Sequence, residues 1–119
     1  MKTLVIGASD NPERYSYLAI NRLRKFGHEV EAIGLREGKK VADVTIQKGV
    51  PAAKDIDTVT LYLNPINQIP YYDYLLQLKP RRVIFNPGTE NVDLENMLKE
   101  NNIEVEEACT LVLLSTGQF

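Results

Sequence analysis

The sequence predicts an α/β fold: a doubly wound, mainly parallel sheet in three layers, with helices on both faces. Three observations carry that expectation. Short apolar runs suited to buried strands recur along the chain, and helix-like stretches separate them. The strands close on glycine or Asn-Pro turns. Strands joined through helices call for parallel pairing with crossover connections, which are almost always right-handed.

Each element has its own warrant. Leu4-Val5-Ile6 is an apolar run closed by Gly7, the pattern of a strand buried on both faces. A helix is expected from Ser16 to Phe26, with Leu18, Ala19, Leu23 and Phe26 inward and Asn21, Arg22, Arg24 and Lys25 outward. Gly27 suits the left-handed residue that ends it. Val30-Glu31-Ala32-Ile33 reads as a second strand stopping at Gly34, and Asp43–Ile46 as a short one. Thr58–Leu63 is β-branched and apolar, closed by Asn64-Pro65. Tyr71, Tyr74, Leu75 and Leu78 follow helical spacing, and Pro80 stops that helix. Arg82–Phe85 is another buried strand, ending at Asn86-Pro87-Gly88. A third helix over Asp93–Asn101 turns Leu94, Met97 and Leu98 inward, Ile103–Glu106 follows as an edge strand, and Cys109–Leu114 forms a last helical turn or two.

Composition bounds the function. The 119 residues give room for one domain, 1–119, and its core. A net charge of -2 offers no broad attraction to nucleic acid or an anionic membrane. The apolar run at the start is too short for a signal-peptide core or a membrane span. The single cysteine cannot form an internal disulfide, which fits a reducing cytoplasm.

In doubly wound sheets, ligands bind beyond the carboxyl ends of the strands, where the winding reverses. Those ends carry Gly7-Ala8-Ser9, Gly34-Leu35-Arg36, Asn64-Pro65 and Asn86-Pro87-Gly88. The first loop leads from a strand to a helix N-terminus, whose free N–H groups and dipole favour an anion. Gly7 and Ala8 leave the backbone open to approach, Ser9, Asn11 and Ser16 add donors, and Arg14 adds a cation, so the loop can hold a diphosphate. The dinucleotide fingerprint is absent, since positions 9 and 12 hold Ser and Pro rather than Gly. Gly34–Lys40 is no Walker loop either, but its Arg36, Lys39 and Lys40 suit a phosphorylated ribose, as in NADP or coenzyme A.

Other candidates read as structural. His28 lacks partners for a triad or metal site and is expected as an exposed turn residue. Cys109 is expected to be packed rather than reactive. The tyrosines of Tyr71–Tyr74 are expected in the core rather than against a base. Glu104, Glu106 and Glu107 are expected to form a solvated edge that discourages strand pairing.

The combination of Gly7-Ala8-Ser9, Asn11-Pro12 and Arg14-Tyr15-Ser16 with Gly27-His28-Glu29-Val30, Phe85–Glu90 and Cys109–Val112 resembles the small CoA-binding domain proteins. These are similar in fold to the nucleotide-binding domain of the succinyl-CoA synthetase alpha subunit. The resemblance implies a Rossmann-like domain that binds coenzyme A or an acyl-CoA. It places Gly7, Ala8, Ser9 and Arg14 on the diphosphate, with Ser16 beneath it at the helix start. The ribose phosphate would meet a basic residue after the second strand: Lys39, Arg36 or Lys40. Leu63, Asn64 and Pro65 would border the adenine or ribose, and Asn86, Pro87 and Gly88 the pantetheine. The chain departs from the family in holding Gly34–Gly38 where a Pro-containing turn is frequent, and nothing in it replaces the synthetase's phosphohistidine. The expected function is a cytoplasmic, non-catalytic module for coenzyme A or acyl-CoA, with a protein partner open. The alternatives are an NADP-binding oxidoreductase subunit and a ligand-free interaction domain of the same fold.

Overall fold

A computed structural model describes residues 1–119. Seven strands form one sheet: β1 (Lys2–Ala8), β2 (Glu29–Gly34), β3 (Lys40–Val41), β4 (Val44–Gln47), β5 (Ile56–Leu61), β6 (Arg82–Phe85) and β7 (Glu104–Glu107). Their order is β3-β4-β2-β1-β5-β6-β7. Every neighbouring pair is parallel except β3 with β4. The chain winds outward from β1 through β2 to β4, then returns to lay β5, β6 and β7 on the other side. The winding therefore reverses between β1 and β5, which makes the sheet doubly wound, the class the sequence predicts.

Side chains alternate across this sheet and build two cores. Leu4, Ile6, Val59, Leu61, Val83 and Phe85 point to one face, where α3 (Tyr72–Leu78) and α4 (Val92–Glu100) add Leu75, Leu94 and Leu98. Val5, Ala32 and Ile46 point to the other, where α1 (Tyr15–Lys25) and α5 (Thr110–Ser115) bring Ile20, Leu23 and Leu114. This is the three-layer, Rossmann-like arrangement.

The helix α1 corrects one expectation. It buries Ser16, Ala19, Ile20 and Leu23, while Leu18 and Phe26 are exposed. Small Ser16 and Ala19 let the helix lie close to the sheet, which turns the buried stripe by part of a turn. Other boundaries shift slightly. β5 stops at Leu61, two residues early, because Asn64 caps a short helix α2 (Pro65–Gln68), followed by a 3₁₀ turn at Ile69–Tyr71. β3 is a two-residue strand with no apolar run to announce it, pairing only with β4.

His28 is half-buried rather than exposed. Its ring packs edge-on against Phe119 at 5.1 Å, and burial, aided by the nearby amino terminus, holds its pKa below the ordinary value. Phe119 also lies under the Arg82 guanidinium, 4.7 Å from its ring centre. The acidic edge is only partly solvated: Glu106 pairs with buried Arg82 at 3.2 Å, and Glu104 meets Arg81. Glu107 faces Glu95, whose hydrogen bond and charge raise its pKa.

Candidate functional site

At the end of β1 the backbone bends. Gly7 has φ +95° and the register with β2 shifts between Ile6 and Ala8, so Ala8 faces Gly34. An L side chain at position 7 would be strained by that φ, and its Cβ would stand 3.0 Å from the Tyr62 carbonyl carbon. Glycine is required here by the fold itself, before any ligand is considered. Gly34 is needed for a different reason: a Cβ there would lie 2.2 Å from the Ala8 carbonyl oxygen.

The loop that follows is ordered by its own side chains. Ser9 Oγ accepts from the Asn11 N–H, and Asn11 Oδ1 accepts from the Glu13 N–H. Arg14 then occupies the N-cap of α1 without capping it, and the first turn holds no acidic residue. The contrast with α4 is sharp. There Asn91 Oδ1 accepts from Leu94 N–H, and Glu95 reaches back to the Asn91 N–H. The positive end of α1 thus carries no side-chain cap.

That end faces a cavity of about 760 Å³ at the reversal of the winding. Of the candidate residues, Gly7, Ala8, Ser9, Arg14, Ser16, Arg36, Leu63 and Pro87 line it. Lys39, Lys40, Asn64, Pro65, Asn86 and Gly88 do not. Lys39 and Lys40 lie exposed where the chain turns into β3, and the side chain of Asn64 is spent on capping α2. Arg36 is the basic residue of its cluster at the cavity. Its guanidinium stands 3.4 Å from Asp10 Oδ1, a contact without hydrogen-bond geometry that leaves that oxygen without a hydrogen bond. Arg36 is thus steered electrostatically but stays free to donate.

Asn86 does structural work below the rim. Its Nδ2 donates to Thr60 Oγ1 at 2.6 Å and to the Leu61 carbonyl at 2.9 Å, while Oδ1 accepts from the Thr110 N–H at 2.9 Å. Thr89, two residues past Pro87, donates to the Asn86 carbonyl and offers its own carbonyl to Gln68. These bonds tie together the ends of β5 and β6 and the start of α5.

Several cavity residues escaped the sequence reading. Tyr62 lies just past β5 and borders the cavity, and burial pushes its phenol up to about 12, so it remains neutral. Tyr71, expected in the core, packs against the apolar cluster and also lines the cavity. Ile33, Asn67, Pro70 and Thr89 also line it, as do Tyr15 of the first loop and Gly34 and Leu35 of the rim that the sequence marks. Tyr15 and Leu35 are 70% and 86% exposed, large apolar surfaces standing beside an open site. No Asp, Glu, His, Cys or Lys lines it, and no cluster of His, Cys, Asp and Glu is placed to hold a metal ion.

The fold and this rim define a Rossmann-like α/β domain with a cavity at its topological switch point. A family model described as CoA binding domain matches residues 1–115, and the chain belongs to that family. A crystal structure of an uncharacterized protein is 52% identical, with a TM-score of 0.95 over 99% of this chain and 97% of the other. A Thermus thermophilus structure is 23% identical, with a TM-score of 0.86 over 99% of this chain and 90% of its own. A hypothetical protein from Pyrococcus horikoshii OT3 is 19% identical, with a TM-score of 0.83 over 96% and 81%. The latter two show likeness of fold. A search of curated proteins returned no match. No helix is long and apolar enough to cross a membrane.

Proposed function

We propose that this protein is a binding module for coenzyme A or an acyl-CoA, with no chemistry of its own. The observation that carries the reading is the uncapped N-terminus of α1, opening onto a cavity bordered by Arg14 and Arg36. Family membership supplies the ligand class, and the residues present fit it. The first-turn N–H groups and Arg14 suit the diphosphate, and Arg36 suits the phosphate on the ribose. Tyr62, Leu63, Leu35 and Tyr71 offer apolar surface for the adenine and ribose. The cavity volume lies within the usual range for small-molecule sites.

A thermal-shift panel tests this with coenzyme A, dephospho-CoA, ADP and NADP. A ligand at 100 times its Kd should add about 2.7 kcal/mol to stability. We expect coenzyme A to stabilise most and dephospho-CoA less. Arg36→Ala should remove the difference between those two, whereas Lys39→Ala and Lys40→Ala should keep it. Stabilisation by NADP without response to coenzyme A would overturn the reading in favour of a nicotinamide cofactor.

A further inference from the structure

Beside the large cavity lies a second one of about 210 Å³, lined by Tyr15, Tyr62, Asn86, Pro87, Cys109 and Leu111. Tyr15, Tyr62 and Pro87 border both, so the two spaces adjoin. Their chemistry differs. The large cavity has two arginines and a helix N-terminus, whereas the small one has no charged side chain. Asn86, its most polar wall residue, has both ends of its amide committed to Thr60, Leu61 and Thr110. The Tyr62 phenol is neutral. A polar guest would gain little there, and an apolar one would remove apolar surface from water.

We propose that this second cavity is a subsite for the acyl group of a short-chain acyl-CoA; the proposal rests on the coenzyme A reading above. With the diphosphate of an acyl-CoA on α1, the pantetheine arm, which the family resemblance places beside Asn86 and Pro87, would run past the shared wall of Tyr15, Tyr62 and Pro87 and deliver the acyl group to the small cavity. The volume sets the length. A cavity of 150 Å³ holds benzene, so about 210 Å³ holds about eight non-hydrogen atoms, room for a butyryl group but not for a long fatty chain. The ligand class is therefore a short acyl thioester rather than free coenzyme A or a long-chain one.

Calorimetric titration of the whole chain with coenzyme A, acetyl-CoA, butyryl-CoA and palmitoyl-CoA tests it. Each methylene buried should tighten binding about fourfold up to butyryl-CoA, and palmitoyl-CoA should lose the gain. Cys109, the only cysteine, is half-buried in the cavity wall and reports occupancy directly. Butyryl-CoA should slow its alkylation by iodoacetamide about tenfold, and acetyl-CoA, which likewise carries no free thiol to consume the reagent, much less. Leu111→Trp, which fills the cavity, should abolish the preference for butyryl-CoA while coenzyme A affinity stays within about twofold. The wild-type ligand series and the alkylation rates decide the matter even if that variant folds poorly. Equal affinity for coenzyme A and butyryl-CoA, equal alkylation with acetyl-CoA and butyryl-CoA, or palmitoyl-CoA as tight as butyryl-CoA would each overturn the subsite alone. Binding of none of the four would overturn the coenzyme A reading with it.

Discussion

Asn86 is one buried side chain that joins the end of β6 to the end of β5 and the start of α5. The Leu61 carbonyl, the Thr60 hydroxyl and the Thr110 N–H all bond to it. Truncation would strand the Leu61 carbonyl and the Thr110 N–H away from water at about 1–3 kcal/mol each, while the Thr60 hydroxyl keeps its bond to the Thr110 hydroxyl. Asn86→Ala is expected to lower stability by about 3 kcal/mol or more, read as a drop in Tm of about 10 °C or more. Asn86→Asp keeps the acceptor but loses the two donations, so it too should destabilise. A Tm within about 2 °C of the wild type for Asn86→Ala would show that water replaces the amide. The sequence marked Asn86 as a turn residue and, through the family resemblance, as a neighbour of the pantetheine, but not as a buried bridge between β5 and α5. An amide serving three distant partners leaves no local signature, because those partners lie on other elements.

At the scale of elements, glycines divide by what surrounds them. Gly34→Ala would drive a methyl into the Ala8 carbonyl, a backbone atom that cannot step aside without parting β1 from β2. The expected loss is about 3 kcal/mol, with ligand binding weakened because the same pinch shapes the first loop. Gly38→Ala meets open space and bears only the strain of a φ of +85°, about 1–2 kcal/mol. Denaturant unfolding of the two variants should rank them in that order, and the reverse order would mean that the pinch relaxes freely. Periodicity identified the long elements well. β6 spans the expected residues, and α4 and β7 lie within a residue or two of them. It failed where packing overrides pattern. The face α1 buries is chosen by Ser16 and Ala19, and β5 ends early because Asn64 caps a helix that the apolar run conceals.

For the whole molecule, acid is the expected weakness. Two hydrogen bonds and the charge of Arg81 hold the Asp57 carboxyl below its usual range. A depressed carboxylate adds stability above its unfolded value, about pH 3.9, which is lost as pH falls through the native value. His28, depressed by burial, acts in the same direction but earlier: its contribution is complete above about pH 6.5 and fades below that. Glu107 has the opposite sign, since a raised carboxyl favours the fold in acid. Melting curves from pH 8 to 3 should show Tm declining below about pH 6.5 and again below about pH 4. His28→Gln should remove the first decline, and Asp57→Asn should reduce the second, the remainder resting with Asp43, whose carboxyl is held low by its hydrogen bonds to Arg24. An unchanged profile in either variant would assign that decline elsewhere. The cavity's position at the reversal of the winding was readable from strand ends, and so were Leu35 and Leu63 at its edge, whereas Tyr62 and Tyr71 were not, because aromatic residues beside a rim look like core.

The walls of the large cavity come from two distant stretches, residues 7–16 with 33–36 on one side and 62–71 with 87–89 on the other. Neither stretch encloses the space alone, and β1 and β5 bring them together only once the central sheet has formed. Ligand affinity is consequently a property of the cooperative whole, with no fragment able to carry part of it. Opening either half of the sheet releases the guest, so binding energy adds to the global unfolding free energy and acts as a clasp across the middle of the chain.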